Sequence, residues 1–192
     1  MEDIIRPKKL RLHNALKIGY FRNEAKQRKR LKRFGYRLDS DLTNREHMVA
    51  FNPTTNKLLF VSNGTDPTSL TDLASDLVIG FGTMPKYNKR IEEHKNALLK
   101  AKDKYKTDRA VIVGHSLGGN VAHYIGGEKD KIISYNPALI NQKERPNETI
   151  LKTKNDPVSA FTRNARVVPG SEDIGITKAH GLENIRELPV FL

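Results

Sequence analysis

The 192-residue chain contains no cysteine and no tryptophan. Without cysteine there is no disulfide framework, no thiol nucleophile, no cysteine-ligated zinc and no iron–sulfur cluster, so stability and chemistry must come from other groups. A run of about 18 apolar residues, the length needed to cross a bilayer as a helix, is also missing. The first residues, Met1-Glu2-Asp3-Ile4-Ile5-Arg6-Pro7, lack the apolar stretch of a secretory signal. These absences predict a cytoplasmic or particle-associated protein. Acidic side chains are scarce too: Asp and Glu number 22 against 34 Lys and Arg, a net charge of +12.

The excess charge is not spread evenly. Residues 1–33 hold twelve Lys and Arg opposed only by Glu2, Asp3 and Glu24, so they carry +9 and the rest of the chain +3. The chain therefore divides into a basic N-terminal segment, 1–33, and a nearly neutral globular body, 34–192. Leu12, Leu16 and Tyr20 recur at a spacing of four, with Ile18, Phe21 and Ala25 widening the stripe, which predicts an amphipathic helix with a break near Gly19. Two readings of the segment stand side by side: a helix docked on the body with a solvated basic face, or an arm that binds an anionic membrane, nucleic acid or a capsid shell.

From Gly35 onward short apolar runs alternate with turns. Met48–Phe51 and Lys57–Ser62, separated by Asn52-Pro53-Thr54-Thr55-Asn56, read as a hairpin. Arg109–Val113, Lys131–Tyr135 and Thr149–Lys152 read as further strands, and Ser69–Ile79, Asn88–Lys106 and Asn120–Ile125 as helices. Strands alternating with helices predict an α/β fold with a central, mostly parallel sheet.

The chemistry concentrates in Gly114-His115-Ser116-Leu117-Gly118-Gly119. This is G-x-S-x-G between a predicted strand and a predicted helix, a turn that lifts a serine hydroxyl above a sheet edge. It makes Ser116 the candidate nucleophile and puts the Leu117 N–H where an oxyanion would develop. A serine needs a base, itself oriented by an acid, and in elbow hydrolases the chain order is Ser, acid, His. Of the six histidines only His180 satisfies that order, since no acidic residue separates Ser116 from His123. Asp156, in Asn155-Asp156-Pro157-Val158 just past a strand, is the favoured acid, with Asp173 as its rival. Thr65, in Ser62-Asn63-Gly64-Thr65, is the candidate second oxyanion donor.

Four blocks in this order resemble the class 3 (fungal-type) lipase family of α/β-hydrolases: Leu59–Thr65, Leu73-Ala74-Ser75-Asp76-Leu77, Val111–Gly119, and Asn155–Val158 followed by His180. The compact, cysteine-free form is similar to virus-encoded members. The resemblance implies a Ser116–Asp156–His180 triad, an oxyanion hole from Thr65 and Leu117, acyl-lipid ester substrates, and neither metal nor cofactor. Two departures stand out: Asn63 where the family usually has arginine, and Leu73 where it has tryptophan. Asp66–Pro85, with Leu70, Leu73 and Leu77 before Gly80-Phe81-Gly82, is either a lid or a fixed helix. The competing reading of the whole is a particle-associated or nucleic-acid-binding protein that retains a hydrolase fold.

Overall fold

A computed structural model of the chain describes residues 8–64, 85–137, 143–160, 162–169 and 179–192. The expected helix over 69–79, the lid, Thr65 and Asp173 lie outside the described residues.

The hairpin forms as its pattern predicts. β2 (His47–Asn52) and β3 (Lys57–Ser62) pair antiparallel, with Asn52 opposite Lys57. The Asn52 side chain closes the turn by accepting the Thr54 and Thr55 N–H groups at 3.1 and 3.2 Å, the local capping for which asparagine is favoured in turns. On one side β1 (Arg37–Leu38) adds antiparallel to β2. On the other, β4 (Ala110–His115), β5 (Lys131–Tyr135), β6 (Glu148–Thr153) and β7 (Arg166–Val168) follow β3 in parallel, giving the order β1 to β7 among the described residues. β1 and β7 escape sequence reading because two or three residues carry no usable period.

Alternation along each strand builds two cores. Leu58, Phe60, Ile112 and Ile132 point to the face covered by α3 (Pro85–Lys104) and α4 (Leu117–Ile125), against Leu98, Ala101, Val121 and Ile125. Leu59, Val61, Val113, Ile133 and Tyr135 point to the opposite face. That face is covered by α1 (Leu12–Gly19) and by a single 3₁₀ turn, Leu182–Ile185. Leu12, Ala15, Leu16 and Ile18 of α1 are buried there.

The break near Gly19 is present, and α2 (Glu24–Lys32) restarts after Asn23, whose side chain accepts the Lys26 N–H at 2.9 Å. The second helix is rotated relative to the expected stripe. Ala25 is exposed, and Gln27 and Leu31 face inward instead. The basic residues Lys26, Arg28, Lys29, Arg30, Lys32 and Arg33 are exposed on its outer side.

Because α1 supplies one of the two apolar layers over the sheet, Leu16→Ala is expected to cost about 2–5 kcal/mol in urea unfolding. Deleting residues 1–33 should abolish cooperative unfolding. A truncated chain that unfolds in one sharp transition would show instead that the segment is separable.

Candidate functional site

The elbow is built by close approach. A Cβ on Gly114 would sit 2.1 Å from the Gly118 carbonyl oxygen, and one on Gly118 would sit 2.1 Å from the Ser62 carbonyl oxygen. Only glycine allows β3, β4 and the first turn of α4 to pack this tightly. The turn puts Ser116 at φ 56° and ψ −127°, a region that costs a non-glycine residue about 1–3 kcal/mol. The strain is held by hydrogen bonds on both sides: the Ser116 N–H donates to the Tyr135 carbonyl at 3.0 Å, and its own carbonyl accepts from Gly119 and Asn120.

A serine at a helix start ordinarily caps the helix with its hydroxyl. Ser116 does not, and its Oγ is buried without a hydrogen-bond partner among the described residues. Leu117 opens α4, so its N–H belongs to the first turn, where amides have no intrahelical acceptor and the helix dipole is positive. Gly64 closes the other side. A Cβ there would meet the Ser116 Cβ at 3.1 Å and the His115 carbonyl at 2.8 Å, which places the end of β3 directly against the elbow.

Asp156 follows β6 at the carboxyl edge of the sheet, and its Oδ1 lies 3.0 Å from His180 Nδ1. Both side chains are fully buried. The carboxylate also accepts from Val158 N–H at 3.2 Å, Ser159 N–H at 3.1 Å and Ser159 Oγ–H at 2.5 Å. Burial by itself would raise the Asp156 pKa, but these donors and the His180 imidazole outweigh it and hold the carboxyl below its ordinary value. With Nδ1 engaged, His180 Nε2 is left buried and without a partner among the described residues.

Asp130, immediately before β5, lies at the opposite edge of the sheet. It accepts the Ala110 and Gly127 N–H groups and pairs with Lys102 at 2.7 Å. A second buried set, Ser134–Glu148–His123, has a different order. Glu148 bridges the two, taking the Ser134 hydroxyl at 2.8 Å and facing His123 Nδ1 at 2.6 Å, so no imidazole is placed to deprotonate Ser134.

Several contributors were not legible in advance. The loop bearing His180 is fastened through backbone carbonyls: Asn136 Nδ2 donates to the His180 carbonyl at 3.2 Å, and the Tyr135 hydroxyl to that of Gly181 at 2.9 Å. Ser159 was hidden because only its position after Asp156 gives it a role. Asn63 is buried, and its Nδ2 donates to the Gly19 and Arg45 carbonyls at 3.0 and 3.1 Å. Among the described residues no three His, Asp or Glu side chains converge as metal ligands, and no helix is long and apolar enough to cross a membrane.

A mostly parallel sheet with helices on both faces and a strained serine elbow at its carboxyl edge defines the α/β-hydrolase fold. The model of the Mbeg1-like family, a class 3 lipase-like family, matches residues 11–183, and the chain belongs to it. A search of curated proteins returns no match. Among solved structures, the chain is similar to Lip2 lipase from Yarrowia lipolytica at 14% identity and TM-score 0.51, covering 82% of this chain and 76% of that one. Rhizomucor miehei lipase in its propeptide complex gives 12% identity and TM-score 0.52, covering 79% of this chain and 62% of that one. A point mutant of MDLA from Penicillium cyclopium gives 13% identity and TM-score 0.51, with 78% and 71% covered. This chain thus spans less than two thirds of the Rhizomucor protein. At these identities the likeness is one of fold.

Three buried histidines give the fold a pH signature. Burial pushes His47 down to about 4, and pushes His94 and His115 down to about 3. The unfolded chain takes up these protons near pH 6.5, so stability is full above that pH and falls as pH drops toward 4. The slope is about 1.4 kcal/mol per pH unit for each histidine. Urea unfolding between pH 7 and 4 should show it, and His94→Gln should lower the proton uptake by about one. An unfolding free energy flat over that range would contradict the burial of these rings.

Proposed function

We propose that the protein is a serine carboxylic ester hydrolase of the lipase or phospholipase type, acting on acyl lipids. One observation carries the reading. The hydroxyl of Ser116 is withheld from capping on a strained elbow, at the same sheet edge as a buried His180 whose Nδ1 is held by Asp156. Membership of a lipase-like family and the lipase neighbours support the substrate class.

In this reading Ser116 Oγ attacks the ester carbonyl carbon while its proton passes to His180 Nε2. The developing oxyanion is met by the N–H of Leu117 and by Thr65. Asp156, kept ionised, stabilises the imidazolium that forms. The tetrahedral species then collapses, the C–O bond to the alcohol breaks, and His180 delivers the proton to the departing oxygen. Water, deprotonated by the same imidazole, attacks the acyl-enzyme, releases the fatty acid and restores the serine. Every step uses the chain's own residues.

The lipid surface is proposed to be anionic. Lys9, Arg11, Lys17, Arg30, Arg33 and Arg186 border a cleft of about 910 Å³ between α1, α2 and the 3₁₀ turn, with Glu183 and Glu187 as the opposing charges. Each cation near such a surface contributes up to about 1 kcal/mol, less as salt rises. Binding should therefore be stronger to anionic than to zwitterionic vesicles and should weaken with salt. Tighter salt-sensitive binding to DNA would favour the nucleic-acid reading.

Ser116→Ala should reduce turnover of a soluble short-chain ester by at least ~10³-fold without changing thermal stability much, and should abolish labelling by a fluorophosphonate. Asp156→Asn should be similarly impaired. Unlabelled wild-type protein, or an active Ser116→Ala variant, would return the chain to the non-catalytic reading.

A further inference from the structure

The residue before the nucleophile and one aromatic side chain from the N-terminal helix are joined to the site by a continuous chain of hydrogen bonds. His115 Nε2 lies 2.8 Å from the His180 carbonyl oxygen, and its Nδ1 lies 3.0 Å from the Tyr20 hydroxyl. That hydroxyl in turn lies 2.8 Å from the Gly64 amide nitrogen.

The proton order follows from what each group can do. A carbonyl oxygen only accepts, so His115 Nε2 must carry a hydrogen. His115 is buried at 6% exposure, stacked on Tyr135 and packed against the His180 ring at 4.6 Å between centroids. A charged imidazole there would face a second imidazole in a desolvated site, so the ring is neutral and Nδ1 is an acceptor. The Tyr20 hydroxyl therefore donates to Nδ1 and accepts the Gly64 N–H. The direction of every bond is fixed: Gly64 N–H to Tyr20, Tyr20 O–H to His115, His115 Nε2–H to the backbone of the proposed base.

We propose that Tyr20 and His115 are positioning residues that set the end of the oxyanion strand, the nucleophile elbow and the base loop relative to one another. The inference rests on the ester-hydrolase reading of the site. Its physical content is that three segments far apart in sequence meet at one continuous hydrogen-bonded thread. Gly64 follows β3, His115 ends β4 immediately before Ser116, and His180 lies on the segment leading to the 3₁₀ turn. Tyr20 caps the C-terminal end of α1, whose Leu12, Ala15, Leu16 and Ile18 cover the sheet. A merely apolar residue at 115 would leave the Tyr20 hydroxyl without that acceptor and the His180 carbonyl with one donor fewer.

Loosening a catalytic group by a fraction of an ångström costs rate far more than stability. Tyr20→Phe, which keeps the ring and removes one oxygen, is expected to lower kcat on a soluble short-chain ester by at least ~10-fold, with KM within about 2-fold of wild type. His115→Phe should lose at least as much. His115→Gln, which can still present an N–H toward the His180 carbonyl, should retain more activity than His115→Phe. The Tyr20→Phe/His115→Phe double variant should be little worse than the weaker single variant, because one thread is cut once. A kcat for Tyr20→Phe equal to wild type, or fully additive losses in the double variant, would overturn the proposal.

A measurement on the unmodified protein guards against variants that fail to fold. Nitrogen NMR of histidine-labelled wild-type protein should show His115 as the neutral Nε2–H tautomer, and the Nδ1–H tautomer or an imidazolium at pH 7 would equally overturn it. If the wild-type protein has no ester turnover, the hydrolase reading and the kinetic role fall together, while the tautomer still decides whether the hydrogen-bond order is as described.

Discussion

The arrangement depends first on how closely α4 can start against the end of β3. In the parallel register Ser62 lies opposite Gly114, and the helix begins three residues later with Gly118 pressed on the Ser62 carbonyl. Any side chain at 114 or 118 would push the helix away and let Ser116 relax out of its positive-φ conformation. The strain is thus a consequence of packing, held by the Tyr135 carbonyl on one side and the helix amides on the other. Its product is a buried hydroxyl at that edge which does not cap its own helix. Asp156 and His180 then need only be brought to that edge, which the parallel order β4–β5–β6 does for Asp156 by ending each strand at the same level.

That strand order has a second consequence. In the described structure α3 and α4, which lie between consecutive parallel strands, both cover one face of the sheet. The other face must be covered by something outside the crossovers, and here it is the two ends of the chain. Leu12 N–H donates to the Val190 carbonyl at 2.8 Å, and Leu192 N–H to that of Leu10 at 3.0 Å. Lys57 Nζ and Lys131 Nζ reach the Leu192 and Phe191 carbonyls from the starts of β3 and β5. The concentration of positive charge in the first 33 residues and the burial of their leucines are therefore compatible: an amphipathic helix covers the sheet with one side and carries cations on the other.

Much of this was readable because it is local. The hairpin, the apolar strands and the glycine pattern of the elbow each follow from residues close in sequence, and chain order alone pointed to His180. The illegible parts are those in which distant residues meet. Ala25 continues the apolar stripe of the first helix, yet Asn23 caps a new helix whose phase puts Gln27 and Leu31 inside. His47 and His94, 47 positions apart, sit with ring centroids 4.6 Å from each other beneath Phe60, a contact without any sequence signal. Asn136, at φ 45°, gives its side chain to the His180 carbonyl 44 residues later. No periodicity encodes such a pairing.

Asn63 illustrates how a departure from a resembling family can be absorbed. The position is buried at the end of β3, where a long cationic side chain would need its own partner. Asparagine instead ties two backbone carbonyls, those of Gly19 and Arg45, and so fastens both the end of α1 and the turn before β2 to the strand that leads to Gly64. Gly19 is what permits this: a Cβ there would fall 2.6 Å from Asn63 Oδ1 and 2.7 Å from Val61 Cγ1. A guanidinium is nonetheless present, supplied from α3. Arg90 donates to the Asn63 carbonyl and faces Glu46 at 3.9 Å. This guanidinium reaches the Asn63 carbonyl from α3, while the short asparagine side chain, bonded to the Gly19 carbonyl, lets α1 end against the site. That closeness puts Tyr20 within reach of Gly64 and His115, so the asparagine and the glycine are preconditions for the hydrogen-bond thread that reaches His180.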